Sequence, residues 1–231
     1  MAYIDLYCER LAPGLLAEPV NAATNVAFFI AAWVLWRQAR RHGEFSGELA
    51  SLIALMVAIG IGSGLFHTFA ETWAMVLDVI PILLFQLAFL WIYARRVMGW
   101  QGGSAAALVG GFLLASLYAR EFQHLLNGSL TYAFAIIAIL AIGIYHWLAQ
   151  KPARFTLIAA AGVLALSLFF RTIDEAVCPR FPLGTHFLWH LLDAVVLYLC
   201  GRTLLACYGS GRTPGAIGAR SKGVAFAPGM R

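Results

Sequence analysis

Seven apolar stretches alternate with short polar segments along the chain. An α-helix of about 20 apolar residues crosses the hydrocarbon core of a bilayer, so each stretch predicts a membrane span. The fourth stretch gives the weakest pattern, because it is short and rich in glycine. The predicted spans cover residues 20–37, 49–70, 73–94, 104–119, 130–149, 154–170 and 184–205. We therefore predict an all-α membrane protein built as a seven-transmembrane-helix bundle.

The basic residues outside the spans predict the orientation of the bundle. Cytoplasmic loops of membrane proteins carry an excess of Lys and Arg. Seven spans place four basic residues on the N-terminal side of the membrane: Arg10, Arg120, Arg171 and Arg180. They place twelve on the other side: Arg37, Arg40, Arg41, Arg95, Arg96, Lys151, Arg154, Arg202, Arg212, Arg220, Lys222 and Arg231. The N-terminus is therefore predicted to be exoplasmic and the C-terminus cytoplasmic, an alternation that six or eight spans would destroy.

Composition supports one membrane domain with a tail. The chain is 61% hydrophobic and only 12% charged, about half the charge of a soluble domain. The net charge of +5 thus reflects topology and not nucleic-acid binding. We predict a membrane domain over 1–207, with 1–19 as an exoplasmic segment that Pro13 and Pro19 distinguish from a cleavable signal peptide. Residues 208–231, rich in Gly, Pro and basic residues, predict a disordered cytoplasmic tail.

The polar residues within the predicted spans include Ser63, His67, Asp78, His186 and His190. An ionisable side chain inside a membrane is expensive and marks a functional site by default. The predicted orientation places all five within roughly 3 to 11 Å of the outer boundary, at 1.5 Å per residue. Two i, i+4 pairs each share one helix face, so both members of a pair can point into the bundle.

Three imidazoles near one carboxylate favour a metal site. A single intramembrane histidine more often makes a hydrogen bond between helices, but convergence of five polar groups at one depth is hard to assign to packing. The ligand set suits zinc best, with iron, copper or nickel compatible on chemistry alone. Three protein ligands and a water would generate a hydrolytic nucleophile.

Other polar residues are weaker candidates. Asp193 lies three residues beyond His190 and is either a hydrogen-bond partner of the site or a helix-pairing group. Structural or solvated roles are assigned to His42, His124, His146 and Glu71.

At these motifs the sequence resembles the alkaline ceramidases and their wider superfamily of membrane hydrolases, which includes adiponectin-receptor-like and Per1-like proteins. The match is a set: Ser-x3-His at Ser63 and His67, an aspartate eleven residues later at Asp78, and His-x3-His at His186 and His190. The flanking segments GIGSGLFHTF, AEPVNAATN and IDEAVC agree. The resemblance extends from about residue 5 to 205, and the N-terminal CER and EPVNAATN segments favour the ceramidase branch.

The resemblance implies that His67, His186 and His190 hold Zn²⁺. It also implies that Asp78 activates or orients the attacking water, while Ser63 polarises the carbonyl or stabilises the oxyanion. Alkaline ceramidases cleave the amide of an N-acyl sphingoid base to a fatty acid and a free amine. For this chain the substrate stays open among ceramide, another N-acyl lipid, and a different lipid amide or ester.

Two rival functions use the same residues. A non-catalytic zinc-containing receptor or ligand-binding protein would need the metal for structure alone. A metal-ion transporter is disfavoured, because the polar residues gather at one depth and line no path across the membrane. Few lysines and abundant Ala and Gly indicate a GC-rich bacterial source. We therefore expect a multi-pass protein of the bacterial inner membrane, with its site toward the periplasmic leaflet and a membrane lipid as its partner.

The resemblance also implies a Ca²⁺ site made by N-terminal acidic residues, for which Asp5, Glu9 and Glu18 are the candidates. This chain departs from the pattern at Leu6 and Leu11, and the spacing from Glu9 to Glu18 is shorter by two.

The cysteines divide between the two predicted sides. Cys8 and Cys178 are both expected on the exoplasmic side, where a disulfide persists. The resemblance favours a bridge between the same two residues.

Overall fold

The computed structural model describes residues 3–210, which form helices and no strands. The helices are α1 (Pro19–Thr24), α2 (Val26–His42), α3 (Gly47–Phe69), α4 (Thr72–Arg96), α5 (Gly102–Ala119), α6 (Ala133–Leu148), α7 (Thr156–Val177) and α8 (His186–Ser210). Two short 3-10 segments, Arg120–Phe122 and Leu126–Tyr132, connect α5 to α6. Counting α1 and α2 as one, 7 helical segments are long and apolar enough to cross a membrane. The prediction of a seven-helix multi-pass membrane protein is confirmed. The direction in which the bundle crosses the membrane stays a prediction.

Helix α3 lies at the centre of the packing, against both α2 and α4, while α8 packs against α2 and α7. The fully buried side chains of this core include Leu35, Leu49, Leu52, Met56 and Leu204. Many large apolar side chains are exposed on the outer surface of the bundle. In a bilayer this outer surface faces lipid and requires no polar partner. The bundle therefore exposes apolar side chains to lipid as well as burying them in its core, and polar residues are a minority of the buried side chains.

The first span is divided at Asn25, where the short helix α1 ends and α2 begins. The buried Asn25 side chain donates a hydrogen bond from Nδ2 to the carbonyl of Asn21, 2.9 Å away. Helix α1 is preceded by Glu18 and begins at Pro19, a residue that suits the first turn because its missing N–H would have no partner there. The separate turn of α1 carries Asn21 and Thr24 toward the interior.

Helix α7 is longer than the predicted span 154–170, since it continues to Val177. The added turns contain Arg171 and Asp174, which hydropathy alone assigns to a loop. Both find partners in the protein. Asp174 is fully buried and accepts several backbone hydrogen bonds, and the Arg171 guanidinium lies 5.3 Å from the centroid of the Trp189 ring.

Helix α8 also extends past the predicted domain boundary at residue 207, to Ser210. Its last turn is held by the hydroxyl of Tyr208, which donates to Glu48 Oε2 at the start of α3, 2.9 Å away. The remainder of the predicted disordered tail, 211–231, lies outside the described residues.

Candidate metal centre

Three histidines meet inside the bundle, His67 from the end of α3 and His186 and His190 from the first turns of α8. Each side chain is 1% exposed, and the candidate ligand nitrogens all lie within 4.8 Å of one another. Within residues 3–210 this is the single group of three or more His, Cys, Asp or Glu close enough to share an ion. The sequence prediction that these histidines converge holds.

His67 is oriented by a carboxylate from outside the spans. Its Nδ1–H donates to Glu18 Oε2 at 2.6 Å, which leaves Nε2 free to bind a metal. Glu18 is itself buried and also accepts from Arg10 Nε at 2.5 Å and Asn21 Nδ2 at 3.2 Å. Burial would raise the pKa of Glu18, but the hydrogen bonds from His67, Arg10 and Asn21 lower it overall. A carboxylate behind a ligating imidazole fixes the ring and increases its basicity.

His190 is oriented by a hydroxyl. Thr24 Oγ1 lies 2.9 Å from His190 Nδ1. The single proton of this hydroxyl is directed at the carbonyls of Val20 and Asn21, 2.9 and 3.1 Å away. The Thr24 oxygen therefore accepts from Nδ1–H of His190, and Nε2 again carries the free lone pair.

His186 is positioned through its backbone and its ring face. The N–H groups of Thr185 and His186 donate to Asp174 Oδ1 at 2.6 and 2.8 Å. The imidazole stacks on Tyr7, with ring centroids 3.6 Å apart and an interplanar angle of 17°. Its Nδ1 is buried and has no hydrogen-bond partner within the described part of the chain. A buried imidazole nitrogen that has no hydrogen-bond partner is better explained by a metal-ligating histidine than by a histidine that only packs in the core.

Ser63 and Asp78 complete the group that the sequence predicted. Ser63 is buried, and its Oγ lies 3.5 Å from His190 Nε2. The Asp78 carboxylate approaches from α4, close enough to interact with both Ser63 and His67. The two helices meet backbone to backbone here: a Cβ on Gly62 would collide with the carbonyl oxygen of Leu77 and lie 3.1 Å from the amide of Asp78.

A disulfide joins Cys8 to Cys178, with a Cα–Cα distance of 5.4 Å, and the predicted pairing is confirmed. The backbone N–H of Cys8 donates to Asp174 Oδ2 at 3.0 Å. Gly184 has φ +68°, and a Cβ there would collide with the Asp174 carboxylate and approach Cys8 Cβ to 2.6 Å. The bridge and this close packing hold the N-terminal segment, including Tyr7, against the start of α8.

The acidic residues predicted to bind calcium have different surroundings. Asp5 is exposed. Glu9 accepts hydrogen bonds from the N–H groups of Val20 and Asn21 at 2.7 and 2.8 Å, and so caps α1. Glu18 is bound to Arg10, Asn21 and His67 as described above. Among the described residues these three carboxylates do not form a ligand cluster.

The weaker candidates lie in structural or solvated positions. Ser167 Oγ donates to Asp193 Oδ1 at 3.0 Å, so Asp193 pairs α8 with α7. His146 is buried between the Tyr93 hydroxyl and the Pro152 carbonyl, at 2.7 and 2.8 Å. His42 and His124 are exposed, and Glu71 accepts from Trp73 Nε1 in the turn before α4.

Several residues of the site were missed, or assigned another role, by sequence reasoning: Tyr7, Arg10, Glu18, Thr24 and Asp174. Glu18 and Thr24 belong to the segment AEPVNAATN, Asp174 belongs to IDEAVC, and Tyr7 and Arg10 lie at or beside the CER segment. These segments mark the resemblance but do not state which side chain does what. Most of these residues lie among other polar or small residues, where composition does not distinguish a buried hydrogen-bonding side chain from a solvated one.

The three buried, oriented imidazoles could hold a metal ion. Their donor set matches that of three-histidine zinc sites, which leave a fourth position open for water. No curated protein matches the sequence significantly. The family model described as Ceramidase matches residues 5–213. With that match over most of its length, and with the histidine, aspartate and serine set in place, the chain belongs to the ceramidase family, whose members are amide hydrolases.

Proposed function

We propose that the protein is a zinc-dependent intramembrane amidase that hydrolyses an N-acyl sphingoid base, or a related N-acyl lipid, to a fatty acid and a free amine. The observation that carries the proposal is the position of Asp78 and Ser63 beside the three histidines, two of which have their Nδ1 atoms held by Glu18 and Thr24. A purely structural metal site needs no additional carboxylate and hydroxyl at its open side. Family membership supports the same chemistry.

A zinc ion held by the three histidines would polarise the amide carbonyl and make water a stronger nucleophile. Asp78 would take a proton from the attacking water and give it to the departing nitrogen as the C–N bond breaks. The Ser63 hydroxyl would donate a hydrogen bond to the carbonyl oxygen as negative charge develops there. Water and amide thus become a carboxylic acid and an amine.

An apolar cavity along α8, the helix that carries His186 and His190, would hold an acyl or sphingoid chain. It contains about 620 Å³ of empty space, including the part that opens outward. Trp189, the neighbour of His190, belongs to its wall. The rest of the wall is largely aromatic and aliphatic and includes Phe85, Phe89, Leu90, Ile139 and Leu164. A chain lying there would place the amide at its head near the histidines.

We further propose that the site faces the exoplasmic leaflet, which is the periplasmic leaflet if the source is bacterial. The support is the excess of basic residues on the opposite side of the bundle. A lipid can then reach the histidines from the bilayer without being extracted into water.

The test is release of fatty acid from a panel of ceramides and other N-acyl lipids by purified protein, with metal content measured on the same sample. We expect a single zinc ion per chain and cleavage of at least one lipid amide. His190→Ala should lose both, whereas His124→Ala, a change at an exposed histidine, should lose neither. Zinc bound without cleavage of any lipid amide or ester would favour the receptor function, and absence of bound metal would overturn the proposal.

A further inference from the structure

A buried arginine occupies the place where the family resemblance implies calcium. Arg10 is 3% exposed although it lies in the N-terminal segment. Its guanidinium donates from Nε to Glu18 Oε1 at 2.5 Å, from Nη1 to the carbonyl of Gly14 at 3.3 Å, and from Nη2 to the carbonyl of His67 at 3.1 Å. One positive group thus binds a carboxylate and two carbonyl oxygens, the kinds of oxygen that ligate calcium.

The candidate calcium ligands do not fit a calcium ion. Calcium requires six to eight oxygen ligands. Both oxygens of Glu9 are used by the backbone of α1, and Asp5 is exposed. Leu6 and Leu11 provide no side-chain oxygen where the family pattern has an acidic residue and an asparagine. A divalent cation would also be repelled by the guanidinium already bound to Glu18.

We infer that Arg10 replaces calcium in this protein and that the site works without that ion. Arg10 is a positioning residue: it acts on the metal centre through His67, and it does so by two routes. It holds the Glu18 carboxylate that accepts from His67 Nδ1, and it binds the His67 carbonyl directly. A guanidinium suits this task because its planar, forked donors reach several acceptors in fixed directions.

The first measurement concerns calcium itself. Thermal unfolding of the zinc-loaded protein is followed in buffer freed of calcium by ion exchange, so that no chelator competes for zinc, and then with calcium from about 10⁻⁸ to about 10⁻³ M, the span of protein calcium sites. Magnesium is the control ion. A bound ion stabilises the folded state, so its site would raise the unfolding midpoint with concentration. We expect no rise beyond that seen with magnesium. A calcium-specific rise, or hydrolysis that requires calcium, would overturn the inference.

The second measurement concerns Arg10. Affinity for zinc is measured by competition with a chromophoric chelator for Arg10→Ala, Arg10→Lys and the matched control Arg180→Ala, which removes an exposed arginine. Loss of a group that orients a metal ligand lowers affinity about 10- to 100-fold. We expect Arg10→Ala to lose zinc affinity by this factor and Arg10→Lys to lose less of it. Arg180→Ala should bind zinc as tightly as wild type.

Wild-type affinity in a folded Arg10→Ala variant would overturn the positioning role. If that variant fails to fold, the zinc affinity of Arg10→Lys and the calcium response of the wild-type protein still test the inference. The inference rests on the proposed function only for its activity measurement. A protein that hydrolyses no lipid amide would refute the proposed function, while metal affinity and calcium response would still test the role of Arg10.

Discussion

Replacement of Gly62 by alanine tests whether the contact between α3 and α4 sets the geometry of the site. Gly62 precedes Ser63 and lies against the backbone of Leu77 and Asp78. An added methyl group would overlap the carbonyl oxygen of Leu77, and ordinary contact begins only at 3.4 Å. Since the obstacle is backbone and not a mobile side chain, the two helices must separate.

The separation required is more than about 1 Å, and a displacement of that size in a catalytic group lowers activity about 100-fold. Overpacking of this kind costs about 1–3 kcal/mol. Alanine otherwise gains about 0.5–1 kcal/mol over glycine within a helix. The matched control is Gly64→Ala, two residues along the same helix, where an added Cβ has nothing within 4 Å. Because both variants share this helix gain, they should differ in stability by the overpacking cost alone, about 1–3 kcal/mol.

The assay compares thermal unfolding in detergent, metal content and lipid amide hydrolysis for both variants. Gly62→Ala should unfold at a lower temperature than wild type and lose most of its activity while retaining metal, because the three histidines come from α3 and α8 and not from α4. Gly64→Ala should keep its activity and be at least as stable as wild type. If Gly62→Ala matched Gly64→Ala in stability and turnover, the close approach at Asp78 would not be what positions that carboxylate.

Three further predictions concern single contacts. Asp78→Asn should retain metal and lose hydrolysis by about 10²- to 10⁴-fold, the usual contribution of a general base; unaltered turnover would remove Asp78 from that role. Thr24→Val keeps the shape but removes the acceptor of His190 Nδ1–H, so metal affinity should fall about 10- to 100-fold, and an unchanged affinity in a chelator titration would contradict this. Cys178→Ser should lower the free energy of unfolding by about 2–5 kcal/mol, and reduction of the wild-type protein should lower it by a similar amount. A thermal unfolding midpoint that is unchanged by reduction would exclude a stabilising bridge.

Sequence reasoning located the residues that approach the metal because each is conspicuous where it stands. His67, Asp78 and His190 interrupt apolar stretches, and their cost in a membrane requires an explanation. Helix periodicity then places the i, i+4 partners on one face. The depth of each polar residue in the membrane follows from the number of residues between it and the end of its span. The convergence of the site was therefore predictable from local pattern together with topology.

The residues behind the ligands were not predictable in this way. Glu18 and Asp174 lie in polar segments, and Thr24 lies in a small-residue stretch at the start of the first predicted span. At such positions nothing in composition separates a buried hydrogen-bonding group from a solvated one. Gly62 is one of 22 glycines, and only the position of α4 shows that it must lack a side chain. The length of α7 was underestimated for the same reason, since hydropathy counts Arg171 as exposed. Each of these roles depends on a contact between distant parts of the chain.

The N-terminal segment before α1 is thus as much a part of the site as the helices that carry the histidines. Tyr7 covers the ring of His186, Arg10 and Glu18 hold His67, and the disulfide at Cys8 fixes the segment across a separation of 170 residues. A segment that made these contacts only part of the time would leave two of the three imidazoles free to rotate. The metal ligands therefore depend on a covalent link between the N-terminal segment and the end of α7. Loss of that link should weaken metal binding as well as stability, which a zinc titration of the reduced protein would reveal.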